Sequence, residues 1–302
     1  MIRRCRVEYG SKMRWCAYTA LCSTKVRHRL RPGQAGRAPH NERMATRSPR
    51  TATYFDGWYA DMVGSPIKDE IQQRYLGLPA DLLSTSLLSW EGITEVVAEL
   101  RLSHGDTLLD LACGRGGYGL EIAARTCARL VGVDFSAEAV RQASEQARRL
   151  GRTADFRTGD LAATGLGDGS VNAVVCVDAI QFAEESSAAY AELRRVLAPG
   201  GRAVLTCWEP VTPDDEPLSD RLRRVDLRAG LTAAGFEDVQ TQDRPDWRAA
   251  ERAMWEAAAA LDPGDDPALK SFHDEGVRSL ATFSLIRRVL ATAGAPSVEP
   301  TK

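Results

Sequence analysis

Three acidic residues follow apolar segments of the chain, and a glycine-rich turn lies beside the first of them. Within LLDLACGRGGYGLEIAAR (108–125), Gly114, Gly116 and Gly119 have the GxGxxG spacing of a dinucleotide-binding turn. The glycines of such a turn bring the backbone against a pyrophosphate at a helix N-terminus. Asp110, inside the preceding strand, would repel that phosphate and is better suited to a positively charged group such as an ammonium.

The other two acids extend this set. Asp134 ends the second predicted strand, 20 residues after Gly114, where a carboxylate can accept both hydroxyls of a ribose. Asp160 follows the third strand, where a carboxylate can accept an adenine amine. A ligand with adenine, a free ribose and an amino acid, and with no phosphate, is S-adenosylmethionine. The residues therefore favour that cofactor over NAD.

Alternating strand and helix signals must position these acids. Apolar, β-branched segments predict strands at 107–112, 129–134, 154–158, 171–177, 202–208 and 236–242. Amphipathic segments between them predict helices, so we expect right-handed crossovers and a mostly parallel, doubly wound α/β sheet. Ligands of such sheets bind beyond the C-terminal ends of the strands. The site is therefore expected at residues 112–117, 134–136, 159–161 and 177–182.

Two further helical regions are predicted towards the end of the chain. Residues 218–235 have one apolar face and predict a single helix that ends at Gly235. Residues 247–281 predict helices that break at Pro263 and at Asp266-Pro267, an N-cap followed by a proline at the first helical position. Residues 286–292 predict a last strand.

Four segments carry a family resemblance: DLACGRGG, VGVDFS, GDLAATGLGDGSVNAVVCVDAIQF and LRRVLAPGGRAVL. Their order and spacing resemble those of class I S-adenosylmethionine-dependent methyltransferases, above all the small-molecule branch that modifies sterols, tocopherols, quinones and sugars. The match covers roughly residues 54–242. The resemblance implies a Rossmann-like sheet of seven strands, mostly parallel, with an antiparallel last strand and a helical N-terminal lid.

The same resemblance divides the chain. The expected parts are a basic tail (1–50) and one methyltransferase domain (51–302), made of a lid (54–104), a cofactor-binding core (105–242), a helical insertion (243–285) and the last strand (286–293). Its implied cofactor contacts are Asp110, Ala112, Gly114 and Gly116 around the methionine moiety, Asp134 at the ribose, Phe135 on the adenine face, Asp160 and Leu161 at the adenine edge, and Val177 under the methionine chain. Ala112 departs from the commoner glycine, and we expect its methyl group to fit.

The acceptor side is marked less clearly. Close relatives carry an acid and a histidine pair after the fourth strand, and this chain keeps the acid, Asp178, but replaces the histidines. Asp178 is therefore the candidate to deprotonate or to orient the acceptor. The substrate-side candidates are Tyr54, Trp58 and Tyr59 of the aromatic segment 53–62, with Gln181 and Phe182. Aromatic faces suit a sulfonium cation, although segment 53–62 also fits a plain packing helix.

Charge and composition exclude several classes of protein. The net charge of −2 hides a tail at 1–50 with 13 Lys/Arg and two acids, net +11, and a remainder with 26 bases and 39 acids, net −13. A body this acidic repels polyphosphate, so no nucleic-acid substrate is expected. No apolar run approaches the ~18 residues of a membrane span. The seven cysteines lack metal-ligand spacing, so we expect no metal, and without a secretory signal they indicate reduced thiols in a cytoplasm.

The tail allows three interpretations: an arm for nucleic acid or a membrane surface, an organelle transit segment, or sequence ahead of a natural first residue at Met44. The last is preferred, because nothing downstream needs the tail. The expected function is methyl transfer from S-adenosylmethionine to a small molecule. Two alternatives remain: a protein of the same fold that no longer methylates, such as a cyclase or binding module, and a NAD-dependent oxidoreductase. The oligomeric state is left open.

Overall fold

A computed structural model describes residues 51–63, 65–213 and 217–297. The interpretations of the basic tail lie outside these residues. A single sheet has the strand order β3-β2-β1-β4-β5-β7-β6. Its strands are Thr107–Leu111 (β1), Arg129–Asp134 (β2), Ala154–Thr158 (β3), Val171–Val177 (β4), Leu197–Pro210 (β5), Glu237–Asp243 (β6) and Ile286–Gly294 (β7). β1 to β5 pair in parallel, and β7 runs antiparallel to both β5 and β6. The doubly wound sheet with an antiparallel last strand is confirmed.

Helices cover both faces of the sheet and precede it. They are Ala52–Val63 (α1), Pro66–Leu76 (α2), Trp90–Leu100 (α3), Gly117–Thr126 (α4), Ala137–Arg149 (α5), Ser186–Val196 (α6), Asp220–Arg223 (α7), Leu227–Ala233 (α8), Pro245–Ala259 (α9) and Pro267–Thr282 (α10). The helices α1 to α3 come before β1, as expected for an N-terminal lid. In the part of the chain that the structure describes, no helix is both long and apolar enough to cross a membrane.

The middle strands are buried on both faces, which explains their continuous apolar sequences. In β4, every residue of VNAVVCV except Asn172 is buried, the pattern of a parallel strand with helices on either side. Asn172 is exposed, and its Oδ1 accepts a hydrogen bond from the backbone N–H of Thr107 on β1. This bond fixes the start of β1 beside β4. The C-terminal ends of the same two strands carry candidate site residues.

The predicted helix at 218–235 is wrong in one respect, because the structure divides it into α7 and α8. Asp226 has extended backbone angles, and its side chain accepts a hydrogen bond from the backbone N–H of Ala229. An aspartate that caps a new helix in this way interrupts the old one. A second difference concerns β5, which begins at Leu197 rather than at 202, because Leu197 already pairs with Val171 on β4.

Two other helix starts follow the sequence closely. Ser136 caps α5 by accepting a hydrogen bond from the N–H of Ala139. Asp266 caps α10, with Pro267 at its first position, and accepts from the N–H groups of Ala268 and Leu269. The breaks predicted between 247 and 281 are therefore confirmed.

The helix α1 is fastened to the start of α5. The Asp56 carboxylate lies 2.5 Å from the Ser136 hydroxyl, which donates to it, and also accepts from the N–H of Glu138. One turn further along α5, the Gln142 amide donates to the backbone carbonyl of Tyr59 at 2.9 Å. These bonds hold the aromatic face of α1 over the ends of β1 and β2.

Candidate cofactor and acceptor site

A cavity of about 230 Å³ lies beyond the C-terminal ends of β1, β2 and β4, bounded by α1, α2, α7, α9 and α10. One water needs roughly 10–15 Å³ on the same measure, so the cavity has room for much more than a few solvent molecules. Most of the predicted site residues line it: Ala112, Asp134, Phe135, Asp160, Leu161, Val177, Asp178, Tyr54, Trp58, Tyr59, Gln181 and Phe182. Asp110, Gly114 and Gly116 lie outside this lining.

Asp134 is held rigidly at the end of β2. Its Oδ2 accepts a hydrogen bond from the N–H of Gly114 at 2.8 Å, and its Oδ1 accepts from the N–H of Ser136 at 3.0 Å. Burial raises the pKa of this carboxyl to about 6, while the two N–H groups pull the pKa down. Each carboxylate oxygen can accept a further hydrogen bond, so Asp134 can still receive the two hydroxyls of a ribose.

Gly114 and Gly116 shape the turn from behind. Gly114 supplies the N–H that orients Asp134. Gly116 caps α4 with φ +79°, and a Cβ there would stand 3.0 Å from both Ala143 and Phe156. Ala112 also has positive φ, +61°, a region that costs an L-residue about 1–2 kcal/mol. The methyl group of Ala112 therefore fits, as expected, but the backbone there has a conformation that glycine adopts more readily.

Asp110 lies beneath the turn, against α4. Its Oδ2 is buried without a hydrogen-bond partner in the described residues. A Cβ on Gly119 would stand 2.5 Å from that oxygen, so the third glycine of the motif makes room for this carboxyl. Burial raises the pKa of Asp110 to about 7. The N–H of Gly119 opposes this shift, and the neighbouring Asp134 adds to it. Asp110 is thus partly protonated near neutral pH.

We call the part of the cavity at the ends of β1, β2 and β3 the cofactor end. Aromatic rings close it. Phe55 on α1 lies 5.1 Å from the ring of Phe135 and 5.8 Å from the ring of Phe182, measured between centroids. Trp58 packs edge-on against Phe55. Asp160 stands opposite, and its Oδ1 accepts from the N–H of Ala162 at 2.9 Å. Asp160 therefore caps a turn and lines the cavity at the same time.

The lining residues of α2, α9 and α10, together with Asp178 after β4, form the part of the cavity that we call the acceptor end. Asp178 is its most heavily bonded carboxylate. Its Oδ2 accepts from the N–H of Leu87 at 2.9 Å and from Nη2 of Arg288 at 2.7 Å. Its Oδ1 accepts from the Thr206 hydroxyl at 2.7 Å and lies 2.6 Å from Nη1 of Arg288. A carboxylate so fully engaged is a poor proton acceptor, so this geometry favours the orienting role over the role of base.

Sequence reasoning missed a second buried carboxylate, Glu251 on α9. It lines the cavity and accepts hydrogen bonds from the indole N–H groups of Trp208 and Trp255. Its Oε2 lies 3.5 Å from Nε of Arg288, so one arginine stands between two acids. Burial raises the pKa of Glu251 to about 7, although Arg288 opposes the shift. No local pattern marks Glu251, because its partners lie on β5, β7 and α9.

The acceptor end contains other groups that the sequence did not single out. Lys68 and Gln72 on α2 line the cavity, as do Thr85 and Ser86 of the loop before α3, and Glu275 and Arg278 on α10. Their loop and helices have no strand-end signal to identify them. The insertion expected at 243–285 supplies part of this wall through α9 and α10.

Comparison with known proteins bears on this geometry. Residues 108–201 match the family model of the methyltransferase domain. The match covers about a third of the chain and identifies residues 108–201 as a methyltransferase domain. The matched residues run from β1 to the start of β5 and contain the turn, Asp134, Asp160 and Asp178.

Two curated relatives show the range of this family. A phosphoethanolamine N-methyltransferase from Arabidopsis thaliana is 29% identical over 166 residues, 52% of this chain and 34% of the relative. A sterol 24-C-methyltransferase from Aspergillus fumigatus is 32% identical over 171 residues, 49% of this chain and 45% of the relative. The chain thus spans between a third and a half of the length of these relatives.

Solved structures share the fold. A Haemonchus contortus phosphoethanolamine N-methyltransferase, in complex with phosphomonomethylethanolamine and S-adenosylhomocysteine, has a TM-score of 0.63 at 16% identity, covering 77% of this chain and 58% of that one. The cyclase SpnF has a TM-score of 0.59 at 24% identity, covering 71% of this chain and 85% of that one. These likenesses establish the fold, which supports both a transferase and a cyclase.

Proposed function

We propose that the protein transfers a methyl group from S-adenosylmethionine to a small-molecule acceptor. The observation that carries the proposal is the Asp134 carboxylate, fixed by the N–H groups of Gly114 and Ser136 on the wall of the cavity. The match to the methyltransferase domain and the small-molecule acceptors named for the relatives support it. Those relatives methylate nitrogen and carbon, so the acceptor atom is not part of the proposal.

The residues around the strand ends fit this cofactor. The acids Asp134 and Asp160 face the cavity there, and the lysine and arginines that line it come from helices instead. Arg115, the cation of the glycine-rich turn, is buried and paired with Asp69 at 3.0 Å. This wall is therefore poorly suited to a pyrophosphate and well suited to a cationic, phosphate-free ligand.

In the proposal, Asp134 holds the ribose hydroxyls, Phe135 lies on the adenine face, and Asp160 and Leu161 take the adenine edge. Ala112 and Val177 lie along the methionine chain, and Asp110, Gly114 and Gly116 support them from beneath. When bound, the cofactor supplies an already activated methyl group on a sulfonium. The chain's own task is then to position the acceptor and to exclude water.

The elements for that task are present around the cavity. The bonds between α1 and α5 keep aromatic rings over the cavity. In the proposal Tyr54 and Trp58 lie on the acceptor side, whereas the Tyr59 hydroxyl lies beside Gly114 and Asp134. Asp178 orients the loop at Leu87, and Gln181 donates to the Asp178 carbonyl at 2.8 Å. An acceptor that must lose a proton would find Asp178 and Glu251 nearby, and burial raises the pKa of Glu251 to about 7.

A metal-independent transfer is part of the proposal. Among the described residues, no three His, Cys, Asp or Glu side chains lie together in an arrangement that could hold a metal ion. The proposed partner is a small molecule rather than nucleic acid or a membrane, in view of the acidic body of the chain. A cytoplasmic location belongs to the same proposal, which Cys113, Cys176 and Cys207 support because, within the described residues, each is a thiol outside any disulfide.

A titration with S-adenosylhomocysteine and with NADH tests the cofactor. We expect S-adenosylhomocysteine at 100 times its Kd to stabilise the fold by about 3 kcal/mol. Asp134→Ala should weaken binding by at least about tenfold, since it removes a charged hydrogen-bond acceptor. The exposed Asp265 provides the control, and Asp265→Ala should bind as the wild type does. Stabilisation by NADH alone would refute the proposal in favour of an oxidoreductase.

A second experiment separates a methyltransferase from a cyclase or a binding module of the same fold. The protein is incubated with methyl-labelled S-adenosylmethionine and a metabolite extract, with and without EDTA. We expect label in a small molecule in both samples. Cofactor binding without any transfer would favour the alternatives, and loss of transfer with EDTA would overturn the metal-independent mechanism.

A further inference from the structure

Lys68 is a buried cation at the acceptor end of the cavity. The residue is only 4% exposed and lines the cavity from α2. Its ammonium donates one hydrogen bond, to Oε1 of Gln72 at 3.1 Å. An ammonium has three N–H donors, so in the described part of the chain two of them have no hydrogen-bond partner.

Aromatic rings surround this ammonium where a counter-ion would be expected. The Nζ atom lies 5.5 Å from the ring of Trp58 on α1 and 5.5 Å from the ring of Phe272 on α10. Such contacts offset only part of the cost of burying a charge. No carboxylate in residues 51–63, 65–213 or 217–297 is close enough to Lys68 for a salt bridge.

The neighbouring acids do not supply that ion pair. Asp69, next in sequence, is turned to Arg115 and bonds it through both carboxylate oxygens at 3.0 Å. Glu275 on α10 lines the cavity and acts on Lys68 only through space. Burial is the main influence on Lys68 and lowers its pKa to about 8, so the side chain is largely charged at neutral pH.

The charges of the two ends of the cavity differ. At the strand ends the lining charges are Asp134 and Asp160. Beyond them the lining charges are Lys68, Arg221, Arg278, Glu251 and Glu275, while Asp178 is neutralised by Arg288. The cofactor end is thus acidic, whereas beyond it the cations Lys68 and Arg278 lie among aromatic rings with Glu251 and Glu275.

We infer that Lys68 binds an anionic group, a carboxylate or a phosphate, on an acceptor whose remainder is apolar or aromatic. The inference rests on the proposed function, because it concerns the acceptor of that same cavity. An anion beside Lys68 would accept hydrogen bonds from the two N–H donors that have no partner, on a side chain that is largely shielded from solvent. Charge-assisted hydrogen bonds of this kind are roughly twice as strong as neutral ones.

Ligand binding by the full chain, loaded with S-adenosylhomocysteine, tests the inference. The probes are phenylacetate, phenyl phosphate and the uncharged phenylacetamide. We expect at least one anion to bind at least about tenfold more tightly than the amide, and the preferred anion identifies the group as a carboxylate or a phosphate. Lys68→Met should abolish the preference, and Lys68→Arg should retain part of it. Lys270→Met, which changes a lysine exposed on α10, is the control and should behave as wild type.

The outcomes separate the two proposals. A wild-type protein that does not bind S-adenosylhomocysteine would refute the proposed function. Three outcomes, each with normal S-adenosylhomocysteine binding, would overturn the role of Lys68 alone. They are equal affinity for the amide and the anions, no binding of any probe, and an unchanged anion preference in Lys68→Met. The affinity of each variant for S-adenosylhomocysteine also reports whether it is folded.

Discussion

Arg288 on β7 and Asp178 after β4 form an ion pair in which the two residues are 1% and 5% exposed. The guanidinium packs on the ring of Trp208 at 4.3 Å. Although burial lowers the pKa of Arg288, Asp178 and Glu251 hold that pKa above its ordinary value. Removing one partner of such a pair leaves the other charge buried and uncompensated. The pair therefore ties the acceptor side of the cavity to the stability of the whole domain.

Asp178→Asn should lower the free energy of unfolding by about 3–5 kcal/mol, the usual result of breaking a buried ion pair. Affinity for S-adenosylmethionine should change little, because Asp178 acts on the acceptor side. Urea denaturation and kcat are measured on the same preparation, with Thr206→Val as the control that removes only the hydroxyl donor. A stable variant whose kcat falls by roughly 10²–10⁴ would instead identify Asp178 as a general base.

Gly119→Ala should lower the free energy of unfolding by about 1–3 kcal/mol, because its Cβ would overlap the Asp110 carboxyl. Gly57→Ala is a matched control, since Gly57 is exposed within α1 and a Cβ there meets nothing within 4 Å. That change should raise stability by up to about 1 kcal/mol through helix propensity. The free energies of unfolding of the two variants are measured from their denaturation curves. An equal increase in both would show that Asp110 leaves room for a Cβ on residue 119.

Asp110→Asn should change how stability depends on pH. The folded pKa of about 7 exceeds the ordinary value of 3.8, so between these values the native state keeps a proton that the unfolded state has lost. The contribution of Asp110 to stability is therefore full below about pH 4 and is lost as the pH rises through 7. The free energy of unfolding of the wild type relative to the variant should fall between pH 5 and 8, by about 2–3 kcal/mol.

The measurement is urea denaturation of both proteins at pH 5, 6, 7 and 8 without cofactor. Carboxyl groups that do not interact with Asp110 contribute equally to both proteins, so the difference reports Asp110 together with its coupling to Asp134. Asp265→Asn, at an exposed position, should leave the wild-type pH profile unchanged. A difference between wild type and Asp110→Asn that does not vary with pH would show that Asp110 is ionised throughout.

Deletion of residues 1–43 should change neither folding nor cofactor affinity. The segment lacks a core-forming pattern, and its charge is opposite to that of the body. We expect a change in Tm of less than about 2 °C, which corresponds to under about 1 kcal/mol for a chain of this size. A truncated protein that is insoluble, or that no longer binds S-adenosylhomocysteine, would show that the tail has a role in the domain.

The cavity-lining residues at the strand ends could be predicted from the sequence because they directly follow strands. The position of Asp134 needs only the end of β2, and the parallel sheet brings it to the same edge as Val177 and Asp160. The acceptor end could not be predicted in this way. Lys68 and Glu251 reach the cavity from helices, and local periodicity does not encode how helices pack on a sheet. The division of α7 from α8 was missed because the cap at Asp226 competes with an unbroken apolar face.

The place of β7 in the chain has a consequence for synthesis. Arg288 follows Asp178 by 110 residues, and ribosomes add about 5–20 residues per second, so roughly 6 to 22 s pass between the two. In the later part of that interval, after β5 is complete at Pro210 and before β7 begins at Ile286, the nascent chain holds β1 to β5 with one long side of β5 still unpaired, since β7 is its neighbour there. An open strand edge invites pairing with other chains. Newly made molecules are therefore most exposed to pairing with other chains before the seventh strand is made.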